Sequence, residues 1–169
     1  MNEIIRLIEQ NGLRITDSIV MKKRFLGMVD HYVLFMGYRN SRPVFLGNYR
    51  NGISEVPDAD LVKYLSIMEP ERIEYFVGNE LERKDAERRA WARSGENAYN
   101  YITNNCEHYK NWVHFGKNYS SQVKTAGNVA LAAGAGIAVA GLASKNKTAA
   151  YVGLGTLLLG ALLHIASED

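Results

Sequence analysis

Short hydrophobic runs alternate with polar and charged segments over residues 1–124. Ile4, Ile5 and Ile8 recur at helical spacing and predict a helix over residues 2–10 that ends at Asn11-Gly12. Runs of strand length follow at residues 32–37, 44–48, 52–56 and 72–77. The polar segment between the first two runs predicts a loop, so these two strands are expected to form a hairpin.

Two further segments in this region predict helices. Residues 80–93 are dense in charge, which is typical of a solvated helix. Asn104 or Asn105 supplies an N-cap, and Gly116 a C-terminal stop, for a helix over residues 106–115. The order of elements predicts an α+β domain, with a small antiparallel sheet, packed helices and a cysteine-bearing helix after the sheet.

The pattern changes near residue 125, where two uncharged stretches begin. They cover residues 125–144 and 148–167 and are separated by Lys145-Asn146-Lys147. Each is close to the roughly 20 residues that a helix needs to cross the apolar core of a bilayer. We therefore expect a domain over residues 1–124 and a hydrophobic helical hairpin over residues 125–169 that inserts into or binds a membrane.

Small residues in the hairpin predict close helix packing. Ala132, Gly136 and Ala140 recur at every fourth position, a spacing that lets membrane helices approach closely and would also allow oligomers. The alternative is a soluble hairpin packed on the domain or on another copy of the chain. Lysines flank both ends of the hairpin, so the positive-inside rule favours neither orientation.

Composition narrows the function classes. The net charge is only +2, and no Lys/Arg block with interleaved aromatic residues occurs, so no nucleic-acid partner is expected. Cys106 is the single cysteine, which excludes an internal disulfide. The N-terminal residues carry charges where a secretory signal has an apolar run, so we expect the domain to lie in the cytoplasm.

Cys106 occupies a position suited to nucleophilic chemistry. The predicted helix places it in the first turn, where unpaired backbone N–H groups and the positive end of the helix dipole favour a thiolate over a thiol. The same N–H groups can stabilise an oxyanion on an attacked carbonyl. The competing interpretation is a buried free cysteine that packs as a small hydrophobic residue.

Four histidines are available to take the thiol proton. His31 begins a predicted strand and can face the helix N-terminus, whereas His108, two positions after Cys106, is expected to pack or hydrogen-bond elsewhere. His114 is expected at the surface or partly buried, and His164 as a neutral bridge between the tail helices. A metal site built from Cys106 and the first three histidines fits no common zinc spacing, and none is expected.

Several short motifs on both sides of Cys106 indicate a family resemblance. They are residues 91–96 (WARSGE), 99–100 (YN), 104–109 (NNCEHY), Trp112, 115–117 (FGK) and 120–123 (SSQV), with 30–37 (DHYVLFMG) upstream. Together they resemble the lecithin:retinol acyltransferase-like (LRAT-like) family, a permuted branch of the papain-like NlpC superfamily. The resemblance covers about residues 20–123.

The resemblance implies a set of site residues. Cys106 would be the nucleophile that forms an acyl-thioester, and His31 the general base. The family often has a second histidine on the next strand, but residues 44–49 contain none, and Asn48 is the nearest polar residue that could orient the imidazole. The resemblance implies no cofactor, since thiol acyl transfer needs none.

Three functions fit these observations. The first is a thiol acyltransferase or phospholipase that acts on lipid esters at a membrane, to which residues 125–169 would tether it. The second is a cysteine amidase or peptidase on the same scaffold. The third is a non-catalytic, membrane-associated binding module, which the absence of a second histidine favours.

Overall fold

The computed structural model describes residues 2–23, 30–49, 51–97 and 99–167. The chain divides into two compact units, Met1–Asn118 and Tyr119–Asp169. The first unit contains helices α1 (Asn2–Asn11), α2 (Asp58–Ile67), α3 (Glu80–Ala92) and α4 (Cys106–Phe115). Its strands are β1 (Ser18–Lys23), β2 (Asp30–Arg39), β3 (Arg42–Tyr49), β4 (Gly52–Glu55) and β5 (Met68–Glu74). The predicted α+β fold with an antiparallel sheet is confirmed.

The five strands form one antiparallel sheet in the order β4-β3-β2-β1-β5. Successive side chains of a strand point to opposite faces, so the sheet has two cores. Ile4 and Ile8 of α1 and Leu61 of α2 cover one face, against Val33 and Phe35 of β2. The other face packs against α3 and α4 through a cluster that contains Leu34, Met36, Leu46, Ala86, Ala90, Tyr109 and Val113.

The hairpin between β2 and β3 is tighter than predicted. The strands continue through most of the segment that was expected to be a loop, and only Asn40 and Ser41 lie outside them. Both residues have positive φ, 50° and 62°, as a two-residue hairpin turn of the primed type requires. Asparagine adopts positive φ more readily than most residues. Asn40 therefore indicated the position of the turn better than the length of the polar segment did.

Two elements were not predicted, and one was displaced. β1 was missed because its six residues end in two lysines and show little alternation. α2 carried a usable signal, since Pro57 precedes it and its first turn contains Asp58 and Asp60. β5 lies earlier than the predicted strand over residues 72–77 and includes Pro70, which the edge of a sheet tolerates.

A buried ion pair joins α3 to the sheet. The Arg83 guanidinium donates to Asp17 Oδ1 at 2.9 Å, and the two side chains are 10% and 1% exposed. The same carboxylate accepts the backbone N–H of Phe76 at 2.9 Å and that of Arg14 at 2.8 Å. Helix α3 was predicted to be a solvated helix, but the face that carries Arg83, Ala86 and Ala90 is buried.

The tail unit consists of helices α5 (Ser121–Ala143) and α6 (Lys147–Ala166), the apolar helical pair that the sequence predicts. Their seam is lined by glycine. A Cβ at Gly134 would lie 2.4 Å from the backbone nitrogen of Leu157, and one at Gly141 2.3 Å from that of Ala150. Side chains at these positions would push the two backbones apart.

The stripe expected to mediate this packing lies elsewhere. Ala132, Gly136 and Ala140 are exposed, and a Cβ at Gly136 would meet nothing within 4 Å. The α5 side of the seam instead contains Gly127, Gly134 and Gly141, which are spaced by seven residues. A seven-residue spacing keeps a stripe along two nearly parallel helix axes, whereas a four-residue spacing drifts around the helix.

We predict that Arg83→Met destabilises the first unit by about 3–5 kcal/mol, because the substitution leaves the Asp17 carboxylate buried without its cation. The free energy of unfolding of the full chain in urea measures this loss. Arg88→Met is the matched control, since Arg88 on the same helix pairs with Asp85 at the surface and should change stability by no more than about 0.5 kcal/mol. Equal losses in the two variants would contradict a special role for the buried pair.

Candidate active site

Helix α4 begins with a capping arrangement that fixes the position of Cys106. The side chain of Asn105 accepts the backbone N–H groups of Glu107 at 2.9 Å and His108 at 3.1 Å. His108 Nδ1 accepts the backbone N–H of Asn105 at 3.4 Å and completes a capping box. His108 is thus a hydrogen-bonding residue, as predicted, and the N-cap is Asn105.

The turn before α4 is tied to β3 and to α3. Asn48 is fully buried, and its Nδ2 donates to the carbonyl oxygen of Asn104 at 2.8 Å and to that of Asn105 at 3.3 Å. Arg93 Nη2, just after α3, donates to Asn104 Oδ1 at 3.3 Å. Because carbonyl oxygens only accept, these contacts fix which end of the Asn48 amide faces the turn.

The Asn48 carbonyl group makes no comparable contact. Its Oδ1 is buried and accepts no hydrogen bond from any residue that the structure describes. In this state Asn48 holds the turn that carries Cys106 and does not hydrogen-bond to His31. Its predicted role in orienting the imidazole is therefore still a prediction.

The Cys106 thiol lies between α4 and the sheet. The residue is 3% exposed and packs with Val20 of β1 and Tyr32 of β2, which are paired across the two strands. The backbone N–H groups of Tyr32, Cys106 and Glu107 donate toward the sulfur and favour its ionised form. Sulfur thus sits among several backbone donors at a helix N-terminus, as expected for a nucleophile.

Burial nevertheless decides the ionisation of the thiol. Desolvation, supported by the charge of Glu107, outweighs the backbone donors and raises the pKa of Cys106 to about 11. The backbone donors at the helix start act in the expected direction, but burial outweighs them. The thiol is protonated at neutral pH, and nucleophilic attack requires a base.

His31 lies at the start of β2, directly before Tyr32. Side chains alternate along a strand, so His31 points to the same face of the sheet as Val33 and Phe35. Helix α4 covers the opposite face. The imidazole is half-buried and stacks with the ring of Tyr49, with 6.3 Å between ring centroids. Toward the start of β2, the last residue pair between β2 and β3 is Leu34–Leu46. His31 and Asn48 both lie beyond this pair.

A polar brace holds Tyr32 beside the thiol, and sequence reasoning did not find it. Arg72 Nη2 donates to the Tyr32 hydroxyl at 3.3 Å, and Lys110 Nζ lies 5.0 Å from the centre of the Tyr32 ring. Glu74 bridges the two cations, at 3.0 Å from Arg72 and 2.7 Å from Lys110. Burial opposes ionisation of Glu74, but these cations outweigh it and lower the pKa of the carboxyl group.

The remaining histidines serve other purposes. His114 is only 8% exposed, more buried than predicted, and its Nε2 lies 2.8 Å from the carbonyl oxygen of Thr16. Phe115, at the C-terminal end of α4, is 52% exposed. His164 Nδ1 lies 3.0 Å from Asn128 Oδ1, which confirms the predicted bridge between the tail helices. Within the described ranges, no group of three His, Cys, Asp or Glu residues is arranged to hold a metal ion.

Residues 51–119 match the family model of lecithin retinol acyltransferase. This LRAT family is part of the NlpC/P60-like superfamily, so the resemblance predicted from the motifs around Cys106 is confirmed. The matched segment includes Cys106 and its cap, whereas His31 and Asn48 precede it. No curated protein matches the chain significantly.

We predict that Asn48→Ala lowers the free energy of unfolding by about 0.5–1.5 kcal/mol, because the carbonyl groups of Asn104 and Asn105 each lose one of two hydrogen-bond donors. Asn48→Asp keeps the size of the side chain but replaces the donor by an acceptor, and should be at least as harmful. Asn118→Ala is the control, since the Asn118 amide makes one long hydrogen bond, 3.4 Å to the carbonyl oxygen of Thr103 at an exposed site. Wild-type behaviour of Asn48→Asp would contradict the role of this amide.

We predict acid destabilisation through His114. Burial, aided by the charge of Lys110, lowers the pKa of His114 from 6.5 to about 4, although the Thr16 carbonyl opposes this shift. Protons therefore bind the unfolded state more readily. The contribution of His114 is complete above pH 6.5 and falls by roughly 3 kcal/mol as the pH decreases to about 4. Urea unfolding across this range should show a shallower acid loss for His114→Gln, which keeps a donor for Thr16, and parallel profiles would disprove the assignment.

Proposed function

We propose that this protein is a thiol acyltransferase or lipase-type hydrolase that acts on lipid esters through an acyl-thioester on Cys106. The main support is the position of the thiol, at the capped N-terminus of α4 and among three backbone N–H donors, inside the segment that matches the LRAT family. The family match fits acyltransferase, lipid-modifying or related thiol-enzyme activity. Backbone N–H groups at a helix N-terminus can also stabilise the oxyanion that forms on an attacked carbonyl.

The proposed reaction has two steps. Cys106 Sγ attacks the ester carbonyl carbon, the sulfur–carbon bond forms, the carbon–oxygen bond to the alcohol breaks, and the thiol proton passes through the base to the departing alcohol oxygen. Water, an alcohol or an amine then attacks the thioester, releases the sulfur and gives its proton back to the base. Water as acceptor makes the protein a hydrolase, whereas an alcohol or amine makes it a transferase.

We propose His31 as the base. A protonated thiol needs one, and the raised pKa of Cys106 makes unassisted ionisation at neutral pH rare. His31 adjoins Tyr32, whose backbone N–H already contacts the sulfur. In the described state the imidazole stacks on Tyr49, so the role requires a rotation around the end of β2 toward the thiol. Asn48 Oδ1, buried nearby on the next strand, would then be a suitable acceptor for the imidazole N–H.

We also propose that the tail holds the enzyme beside its substrate. The two tail helices are long and apolar enough to cross a membrane, and a tether raises the local concentration of a lipid ester. The catalytic unit would then lie in the cytoplasm against the membrane surface.

One observation favours a second function. The thiol is almost fully buried, and alternation along β2 turns His31 away from it. A non-catalytic domain that binds lipids or partner proteins would need neither an accessible sulfur nor a base. Labelling of Cys106 with a fatty acyl electrophile separates these two functions.

We predict that an electrophile with a fatty acyl chain, presented in mixed micelles at neutral pH, modifies Cys106 of the full chain faster than it modifies free cysteine. His31→Ala should slow this modification by about 10²–10⁴-fold, the usual contribution of a general base. Intact-protein mass spectrometry measures the rate, and Cys106→Ser identifies the labelled atom. His164→Ala is the matched control, because this histidine lies in the tail.

Each outcome decides between the proposals. Labelling no faster than free cysteine, unchanged by His31→Ala, would exclude the enzyme and leave the binding module. Fast labelling without dependence on His31 would retain the nucleophile and reject this base. A peptidyl rather than a fatty acyl adduct from natural donors would favour an amidase or peptidase.

A further inference from the structure

Outside their seam, residues 129–143 of α5 and 149–166 of α6 expose only apolar side chains and glycine. In their apolar stretches only 22% of the α5 residues and 17% of the α6 residues are buried, so these are not core helices of the tail unit itself. The exposed large side chains of α6 are Tyr151, Val152, Leu154, Leu158, Leu159, Leu162 and Ile165. These seven positions span a wide arc of the helix, and no Asp, Glu, Lys or Arg lies between residues 148 and 167.

The distribution of apolar residues distinguishes a helix that lies in the membrane interface from a helix that spans the bilayer. A helix that lies in the interface needs a charged or strongly polar face toward water. A helix that is hydrophobic all round is typical of a protein core or of a membrane span. The lengths agree with spanning, since 23 and 20 residues match the roughly 20 needed for the bilayer core.

Two polar side chains in the apolar stretches, Thr156 and His164, hydrogen-bond within the hairpin. The Thr156 hydroxyl donates to the carbonyl oxygen of Val152 at 2.9 Å, and His164 pairs with Asn128 across the two helices at 3.0 Å. The glycine seam leaves no gap for solvent between the backbones. A spanning segment has to meet this condition, because the hydrocarbon offers no hydrogen-bond partners.

The two ends of the hairpin differ in chemistry. At the open end the backbone N–H of Ser120 donates to the carbonyl oxygen of Ser167 at 2.8 Å, so entry and exit of the chain are side by side. The closed end is the turn Ser144–Lys147, which carries the exposed Lys145 and Lys147. About twenty uncharged residues of each helix separate the lysines of the turn from the open end.

We propose that the tail crosses the bilayer twice as one hairpin, with Ser120 and Ser167 at one membrane surface and the Lys145–Lys147 turn at the opposite surface. The inference rests on the proposed membrane association and adds the topology of the tail. The lysines of the turn lie among lipid headgroups, where anionic lipids bind them. The His164–Asn128 pair lies near the open end, close to the interface, where its polarity costs least.

A double-cysteine experiment tests this topology in any orientation. The full chain with Cys106→Ser, Ser121→Cys and Ser144→Cys is reconstituted into sealed phosphatidylcholine–phosphatidylglycerol vesicles and treated with a membrane-impermeant sulfonated maleimide. The two new thiols lie at exposed positions at opposite ends of α5. Intact-protein mass spectrometry should find one label per molecule, and two after detergent opens the vesicles.

The control places both thiols at the same end. Ser144→Cys with Thr148→Cys, two exposed positions beside the turn, should give molecules with either no label or two. Two labels on every molecule of the first variant before detergent would overturn the proposal in favour of a hairpin on the surface. A chain that does not float with the vesicles would overturn the membrane association itself. Neither result affects the Cys106 labelling test, which is run in micelles and read from a different thiol.

Discussion

The buried start of α4 is the constraint on which the first unit depends. A helix N-terminus leaves backbone N–H groups without partners inside the helix, and here the cap residue Asn105 is itself buried. The Asn105 side chain accepts two of these N–H groups, and Asn48 donates to the carbonyl groups of Asn104 and Asn105. Because Asn48 belongs to β3, its hydrogen bonds to this turn also fix the position of Cys106 against the sheet.

The chemistry of Cys106 results from a competition at that position. Backbone donors at the helix start favour the thiolate, and removal of water favours the thiol. Burial wins in the described state, so the pKa of Cys106 lies well above neutral pH. Attack by this thiol at neutral pH would therefore require a base. Tyr32, which packs beside the thiol, is itself held by Arg72 and Lys110.

The tail unit solves a related problem with different residues. Gly134 and Gly153 bring two backbones into contact, and this contact replaces the side-chain packing of an ordinary helix pair. The large apolar side chains are left on the outside, where water is the least favourable neighbour. Glycine weakens a helix in water, whereas in a bilayer its small size allows close packing, so the composition of the tail suits a membrane better than a solution.

The sequence by itself determined the features that depend on near neighbours in the chain. A cap at Asn104 or Asn105, the stop at Gly116, the centres of β2 and β3, the apolar tail and the family resemblance around Cys106 were predicted from local pattern. Those predictions concern hydrogen bonds and periodicities that span a few residues, and such signals are written directly in the order of residues.

Tertiary structure decided whatever depends on residues distant in the chain. Asn48 meets Asn104, Arg83 meets Asp17, and Glu74 meets Lys110, and no local pattern indicates these pairs. The sign of the pKa shift at Cys106 belongs to the same class, because desolvation is set by every element that packs around the sulfur. Local pattern singled out Cys106, but only burial, a property of the whole fold, decided whether its thiol keeps its proton.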